Sequence, residues 1–312
     1  MRIGIDLGGT KIEGVLLADD GGEAMRHRMA TPATGYESVL DAIAEMVKHL
    51  GEATSSGSSR SPAPSVGVAT PGFLAPVDGL VRNSNLVVLN GRPVDKDLSK
   101  RIGRPVRLAN DANCFVLSEV SGGAAARPRD AEQIGDDVVF GATLGTGVGG
   151  GLVINERVWA GANGSAAEWS HTTLPFLRPD DGEGSGCFCG REACIESFLC
   201  GRGLTWDHQR ATGEPLSPVV IGDKARAGDA AAGATFARYE DRLARALASV
   251  VNLVDPRAIV LGGGVSNNVR LFTNVPAIWE RYTIAKNLTT RLVRAQHGDA
   301  SGVRGAACLW PG

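Results

Sequence analysis

IGIDLGGTKIEGVLL, residues 3–17, and FGATLGTGVGGGLVI, residues 140–154, follow one plan: an apolar strand, a glycine and threonine turn, then a second apolar strand. In the first stretch Ile3, Ile5 and Leu7 alternate with Gly4 and Asp6. Gly8, Gly9 and Thr10 then reverse the chain into a second apolar run that ends at Ala18, the pattern of a β-hairpin. The likeness extends outward, since VGVATPG at 66–72 is echoed by AIVLGGGVS at 258–266. The repetition predicts an α/β chain of two related halves, each offering a glycine hairpin toward a shared cleft.

The first turn carries Asp6, Gly8, Gly9, Thr10 and Lys11, the inventory for holding phosphate with backbone N–H groups and a cation. A plain Gly-Gly turn with charged flanks has the same letters, and both readings stand. Gly145, Gly147 and Gly150 match GxGxxG, but a dinucleotide fingerprint opens a helix. Here the strand 152–154 and a turn follow, which excludes that reading. Gly262, Gly263 and Gly264 follow a strand over 259–261, where missing side chains let a flat ring or a phosphate approach the backbone.

Between these landmarks, Thr34 and Glu37 have capping-box spacing. They open a helix whose apolar positions Tyr36, Val39, Leu40, Ile43, Val47 and Leu50 keep the 3.6 period. Residues 51–65 read as a polar Ser, Gly and Pro loop. VRNSNLVVLNGRPVDKDL, 81–98, is loop-like, and its Asn83, Asn85 and Asn90 offer paired donors and acceptors that fit sugar hydroxyls or simple turns. A strand over 106–109 stops at Asn110 and Asp111. An acid at the carboxyl end of such a strand points into the usual ligand crevice, so Asp111 is the candidate general base and equally a candidate N-cap of a helix over 112–120. Phe236 to Val254 form a long amphipathic helix ended by Asp255 and Pro256, and 297–310 read as a loop and a closing helix.

Cys187, Cys189 and Cys194 form a glycine-bearing knuckle, with His171 upstream across a Pro and Gly loop. Three thiolates and an imidazole suit tetrahedral Zn²⁺, and the four residues are expected to form a closed structural site. Glu168 and His171 have ExxH spacing, one helical face, and Glu196 follows Cys194 closely. Two carboxylates fixed against one knuckle read as acceptors for a polyhydroxyl ligand. Cys114, Cys200 and Cys308 have apolar neighbours and read as core residues.

The 312 residues are 43% apolar and include 42 glycines, enough for two domains rich in tight turns. Lys and Arg total 32 against 34 acids, a net charge of −2 without a basic block, which argues against nucleic acid. No signal-like segment or membrane-length apolar run is present, so a cytoplasmic protein without membrane partners is expected, with cysteines for metal or free thiols before disulfides.

Taken together, DLGGTK at Asp6, LANDAN at Leu108, GTGVGGG at Gly145, ExxH at Glu168, CxCGxxxCxE at Cys187 and LGGG at Leu261 resemble the ROK family of sugar kinases. The likeness covers essentially the whole length. It is nearest to the bacterial fructokinase and mannokinase branch in VRNSNLVVLNGRPVDKDLS, HGDASGVRGAA and LWP; N-acetylglucosamine kinases are similar in several of these segments.

The resemblance implies the two-lobed actin-like ATPase (ribonuclease H-like) fold, with duplicated halves and a cleft between them. Residues 1–117 are expected as the N-terminal lobe, closed by a helix at about 298–312, and 118–297 as a larger lobe with the zinc knuckle. ATP and Mg²⁺ are expected at Asp6, Gly8, Gly9, Thr10 and Lys11, the second phosphate loop at Thr146 and Gly147, and adenosine at Gly262, Gly263 and Gly264. The sugar is expected on Asn85 or Asn90, Asn110, Asp111, Glu168, His171 and Glu196, with Asp111 as base. The implied activity is transfer of the ATP γ-phosphate to the 6-hydroxyl of a hexose, fructose first, with N-acetylglucosamine, mannose and glucose as alternatives. The implied assembly is a homodimer. A sugar-responsive regulator is the competing class, disfavoured because the first strand starts at Arg2 or Ile3 without a DNA-binding module before it. Where the family pattern has glycine this chain has Ala167, Ser170 and Ala193, and a Cβ there strains any turn that needs positive φ.

Overall fold

The structure, a computed structural model, describes residues 1–33, 35–53, 62–128 and 136–310. The capping box expected at Thr34, and most of the expected 51–65 loop, lie outside the described residues.

In chain order the strands and helices are β1 (Arg2–Leu7), β2 (Lys11–Leu17), β3 (Glu23–Ala30), α1 (Gly35–Glu52), β4 (Ser65–Thr70), β5 (Phe73–Ala75), β6 (Leu80–Arg82), α2 (Val94–Ile102), β7 (Val106–Asn110) and α3 (Asp111–Val120). They continue with β8 (Val138–Leu144), β9 (Val148–Ile154), β10 (Arg157–Val158), α4 (Ile195–Leu199), α5 (Gly201–Thr212), α6 (Pro218–Arg226), α7 (Ala230–Val254), β11 (Ala258–Gly262), α8 (Arg270–Trp279), β12 (Arg291–Arg294) and α9 (Ser301–Ala307). The chain divides into two compact units, one of Met1–Ala131, Gly151–Ala166 and Asp299–Gly312, the other of Glu132–Gly150 and Ala167–Gly298.

The two large sheets share a plan: one is ordered β3-β2-β1-β4-β7 and the other β10-β9-β8-β11-β12. β1 pairs antiparallel with β2 and parallel with β4, which is parallel to β7; β11 lies parallel to both β8 and β12. The repetition in sequence is thus a repetition in strand order. The glycines Gly149 to Gly151 lie inside β9, so the second strand of this hairpin starts earlier than the apolar run 152–154 indicates.

In the first unit α1 buries Val39, Leu40, Ile43, Met46, Val47 and Leu50 against Ile3, Ile5, Ile12 and Leu16 of the sheet. The opposite face takes α9 through Val15, Leu17, Val303 and Ala307, with Ala69, Cys114 and Ala306 beside them. This contact leaves no room for side chains. A Cβ on Gly67 would stand 1.9 Å from the Ala306 carbonyl oxygen, and one on Gly305 would stand 1.7 Å from that of Cys114. The glycines of SVGVAT and GVRGAA are there for this close approach.

The 81–98 stretch departs from the expected loop: Val94–Ile102 is helix α2. Asp95 and Asp97 in its first turn, Lys100 and Arg101 in its last, and Gly103 at φ 77 after it all favour a helix. Only Val94 and Leu98 are buried, so its apolar stripe is too thin to read by period. In the second unit α7 packs against α4, α5, α6 and α8 and forms its spine. No helix among the described residues is long and apolar enough to cross a membrane.

Candidate active site and metal centre

In the first unit the β1–β2 turn is closed by the Gly8 N–H donating to the Lys11 carbonyl at 2.9 Å, while Gly9, Thr10 and Lys11 are exposed. Asp6 stands at the end of β1. Burial raises its pKa to about 6, helped by the negative charges of Asp111 and Glu13 and opposed by Lys11. Lys11 reaches the buried Glu13 at 3.3 Å, and Arg26 and Arg28 face the same carboxylate. Burial alone would raise the pKa of Glu13, but hydrogen bonds from Arg28, Arg26 and Lys11 outweigh it and hold it below the usual value. Arg26 is shared with Glu23, so the cations and carboxylates of this cluster offset one another, with the half-exposed Lys11 ammonium nearest the turn.

Asn110 and Asp111 sit where β7 becomes α3. The N-cap is Asn110, whose Oδ1 accepts from the Ala112 N–H at 2.9 Å and whose Nδ2 donates to the Gly72 carbonyl at 3.0 Å. Asp111 is the first helical residue, a correction to the alternative that made it the cap. Its carboxylate reaches solvent on one side, while crowding by protein atoms on the others raises its pKa. Hydrogen bonds from Ala112 and Asn110 act in the opposite sense. A carboxylate whose proton affinity is raised by desolvation, held at a helix start, suits the task of orienting a hydroxyl and taking its proton.

Asn85 is exposed, whereas the Asn90 amide accepts from the Ser84 N–H and donates to the Ser84 carbonyl, both at 2.9 Å. Asn90 therefore holds its own loop, and Asn85 is the better placed of the two for a ligand.

In the second unit the β8–β9 turn is pinned by Gly145 N–H to the Gly147 carbonyl at 2.9 Å and by Gly201 N–H to the Gly145 carbonyl at 2.8 Å. Thr146 and Gly147 are exposed. Glu196, 6% exposed in the first turn of α4, accepts a long bond from the Val148 N–H at 3.5 Å, so it faces this turn. Gly263, at φ 83, packs so closely on Leu144 that a Cβ would lie 2.5 Å from the Leu144 carbonyl oxygen; Gly264 is open.

Glu168 caps a single 3-10 turn, Trp169–His171, in place of the longer helix that ExxH spacing suggests. Trp169 anchors this turn: its Nε1 donates to the Gly149 carbonyl at 3.0 Å and its ring meets Phe140 edge-on at 5.4 Å. His171 then faces two ways, with Nδ1 3.3 Å from Cys187 Sγ and Nε2 3.9 Å from Glu168 Oε2. Cys189 and Cys194 sulfurs are 3.5 Å apart, and the four ligand atoms lie within 4.8 Å of one another.

Tetrahedral Zn²⁺ with Zn–S of about 2.3 Å sets its sulfurs about 3.8 Å apart, so the donor set fits the ion. The Arg191 amide, with Cys187, Cys194 and His171 adding to it, lowers the Cys189 pKa to about 7. Burial pushes Cys194 up to about 12, helped by its neighbouring thiols, and burial likewise raises Cys187. One thiol ionises readily and the others resist a second and third negative charge, which is the balance that a bound cation reverses.

Two of the three glycine replacements fall on left-handed backbone, Ala167 at φ 67 and Ala193 at φ 51, whereas Ser170 does not. An L-residue there is strained by about 1–2 kcal/mol. Ala193→Gly is expected to raise unfolding stability by up to about 1 kcal/mol, because glycine also loosens the unfolded chain. Ala167→Gly should behave alike, while Ser170→Gly, at a buried site without positive φ, should lose about 0.5–1 kcal/mol. Denaturant midpoints measure all three, and an Ala193→Gly protein no more stable than its parent would refute the strain argument.

Sequence reasoning missed the buried ion pairs behind the knuckle, Asp181 with Arg242 and Arg245. The available signal was two arginines interleaved with the apolar stripe of α7, at positions that such a helix buries.

Comparison with known proteins follows the same lines. The model of the ROK family matches residues 2–312. An N-acetyl-D-glucosamine kinase of Pectobacterium carotovorum subsp. carotovorum (strain PC1) is 38% identical over 313 residues, covering 99% of this chain and 98% of that protein. The N-acetyl-D-glucosamine kinase of Escherichia coli (strain K12) is 38% identical over 315 residues, with 99% of each covered. Among solved structures, the ROK hexokinase from Thermus thermophilus superposes with a TM-score of 0.82 at 32% identity, covering 99% of this chain and 97% of that one. The ROK family glucokinase from Streptomyces griseus, in complex with glucose and AMPPNP, gives 0.70 at 28%, covering 99% and 98%. With its two sheet-containing units in the actin-like ATPase fold, the chain belongs to the ROK family.

Proposed function

We propose that this chain is an ATP-dependent hexose kinase acting on the 6-hydroxyl, with fructose as the first acceptor. The observation that carries the reading is Asp111, a carboxylate made more basic by desolvation at the start of α3, in the same unit as the Asp6 to Lys11 phosphate turn. The sugar O6 attacks the γ-phosphorus, the bond to the β,γ-bridging oxygen breaks, ADP leaves, and the hydroxyl proton passes to Asp111. Gly8 would close the turn, and the amides of Gly9 and Thr10, with the Lys11 ammonium, would hold phosphate oxygens, as would the turn at Thr146 and Gly147. Gly262 to Gly264 would lie against adenosine. Asp6 would hold Mg²⁺, which neutralises phosphate charge when bound. Asn85, Asn110, Glu168, His171 and Glu196 would serve the sugar hydroxyls.

His171, Cys187, Cys189 and Cys194 would hold a structural Zn²⁺ that fixes the turn aiming Glu168. The two carboxylates and Asn85 would read a sugar only through its hydroxyl positions, so pocket shape would choose among hexoses. The segments near 81–99 and 297–310 support fructose. The second reading, N-acetylglucosamine, is supported by the named relatives at 38% identity over nearly the whole chain.

The test is ADP release with Mg-ATP across fructose, N-acetylglucosamine, mannose and glucose at matched concentrations. The expected result is the highest kcat/KM for fructose. A higher value for N-acetylglucosamine establishes the second reading, and no ADP release with any of the four removes the kinase assignment for hexoses.

A further inference from the structure

The segment 172–186 joins His171 to Cys187, so its shape decides whether the histidine and the cysteines meet. It is gripped from beneath by buried charges. Asp181 is 4% exposed; its Oδ1 accepts from Arg242 Nε at 2.8 Å and Arg245 Nη2 at 2.7 Å, and its Oδ2 from Arg245 Nη1 at 2.8 Å and the Arg178 N–H at 2.9 Å. Both arginines come from α7 and are 2% and 1% exposed. Burial alone would raise the Asp181 pKa, but Arg245 and Arg242 hold it well below the carboxylate range.

Arg245 does more than balance a charge. Its Nη1 also donates to the Phe176 carbonyl at 2.9 Å and lies 3.4 Å from the Pro175 carbonyl. Phe176 has φ 52, a conformation that a bulky side chain resists, and its ring, 58% exposed, meets only the Tyr282 ring at 5.1 Å among the described aromatic contacts. The Arg245 grip on its carbonyl holds the backbone in that state from the buried side. Two residues before Phe176, Leu174 N–H donates to the Ala193 carbonyl at 2.8 Å and Thr173 bridges Cys194, so the gripped backbone is tied directly to the knuckle. A buried ion pair is a poor source of stability compared with apolar packing. What this one supplies is a fixed path for the chain between two sets of ligands.

We propose that Arg245, with Asp181 and Arg242, is a positioning residue for the metal centre: it holds 172–181 so that His171 and the three cysteines stand together before an ion arrives. The inference rests on the zinc reading above. Supporting groups of this kind change metal affinity by about 10–100-fold when removed.

The test uses the zinc-loaded protein and the chromophoric chelator 4-(2-pyridylazo)resorcinol. Arg245→Met, which keeps the stem, is expected to release zinc about tenfold faster or more, and to raise the sugar KM while leaving the KM for ATP and kcat near the parent values. Arg245→Lys, which keeps the charge beside Asp181 but not the fork, should fall between. Arg257→Met, which breaks the pair with Asp137 elsewhere in the second unit, should lower thermal stability and leave zinc release unchanged. Equal release from the Arg245→Met and parent proteins, or equal acceleration by Arg257→Met, overturns the proposal. If Arg245→Met does not fold, Arg245→Lys decides by the same comparison. If the parent protein holds no zinc, the metal reading fails separately, and the grip is judged by chymotrypsin cleavage after the exposed Phe176. Cleavage about tenfold faster in Arg245→Lys sustains it, and parent-like cleavage ends it.

Discussion

Asp111→Asn is expected to lower turnover by about 10²-fold or more while ATP binding stays close to the parent value. The amide keeps the size of the side chain and can still accept from Ala112, so the start of α3 survives. What is lost is the capacity to take the sugar proton. The substitution should also stabilise the ligand-free protein at neutral pH. The folded pKa of Asp111 lies above its ordinary value, so the folded state binds the proton more tightly than the unfolded chain. Its contribution is therefore favourable at low pH and is lost as pH rises through the folded value. Asparagine does not ionise and escapes that loss. The gain over the parent should be visible at pH 7 and vanish near pH 4, in thermal unfolding without nucleotide. Near-parental turnover would remove Asp111 from the role of base, whatever the stability shows.

Removing zinc is the second large change. Purified protein is expected to carry about one zinc per chain. Stripping it should lower the thermal midpoint by roughly 10 °C or more, since metal binding to a set like this is folding free energy and each kcal/mol is worth roughly 2–4 °C in chains of this size. Cys189→Ser should do the same without a chelator. The sugar KM should rise more than the KM for ATP, because Glu168 shares its turn with His171. Zinc affinity should weaken as pH falls, because Cys194 and Cys187 must give up protons to bind, and most steeply below about 7, where Cys189 takes up its proton as well. Metal analysis finding well under one zinc per chain would sink this account.

Much of this was legible because the informative features are local. Both glycine hairpins, the strand that ends at Asn110 and the CxC knuckle are contiguous in sequence, and each appears where its letters place it, except that β9 starts at Val148, ahead of its apolar run. Helix α2 was hidden because it buries only Val94 and Leu98 and draws its support from charge placement at its ends. Asp181 and its arginines were hidden for a different reason. Their meaning lies in pairing across 61 and 64 residues of sequence, and no pattern along the chain records a partner. Ala167 and Ala193 stand between these cases. The motif flagged them, but strain is a property of φ, which only the folded backbone supplies.

The glycine-lined seat of α9 bears on the order of events during synthesis. Residues 1–120 supply β1 to β7 and helices α1, α2 and α3 of the first unit, yet the face of the sheet around Gly4 and Gly67 is completed only by residues 301–307. A ribosome therefore emits the second unit in full before the first can close, which reverses the usual expectation that the earliest part of a chain settles earliest. Until then Val15 and Leu17 face water with no helix over them. The nascent first unit is the natural client for a holding chaperone, and its waiting time is set by translation speed through the second.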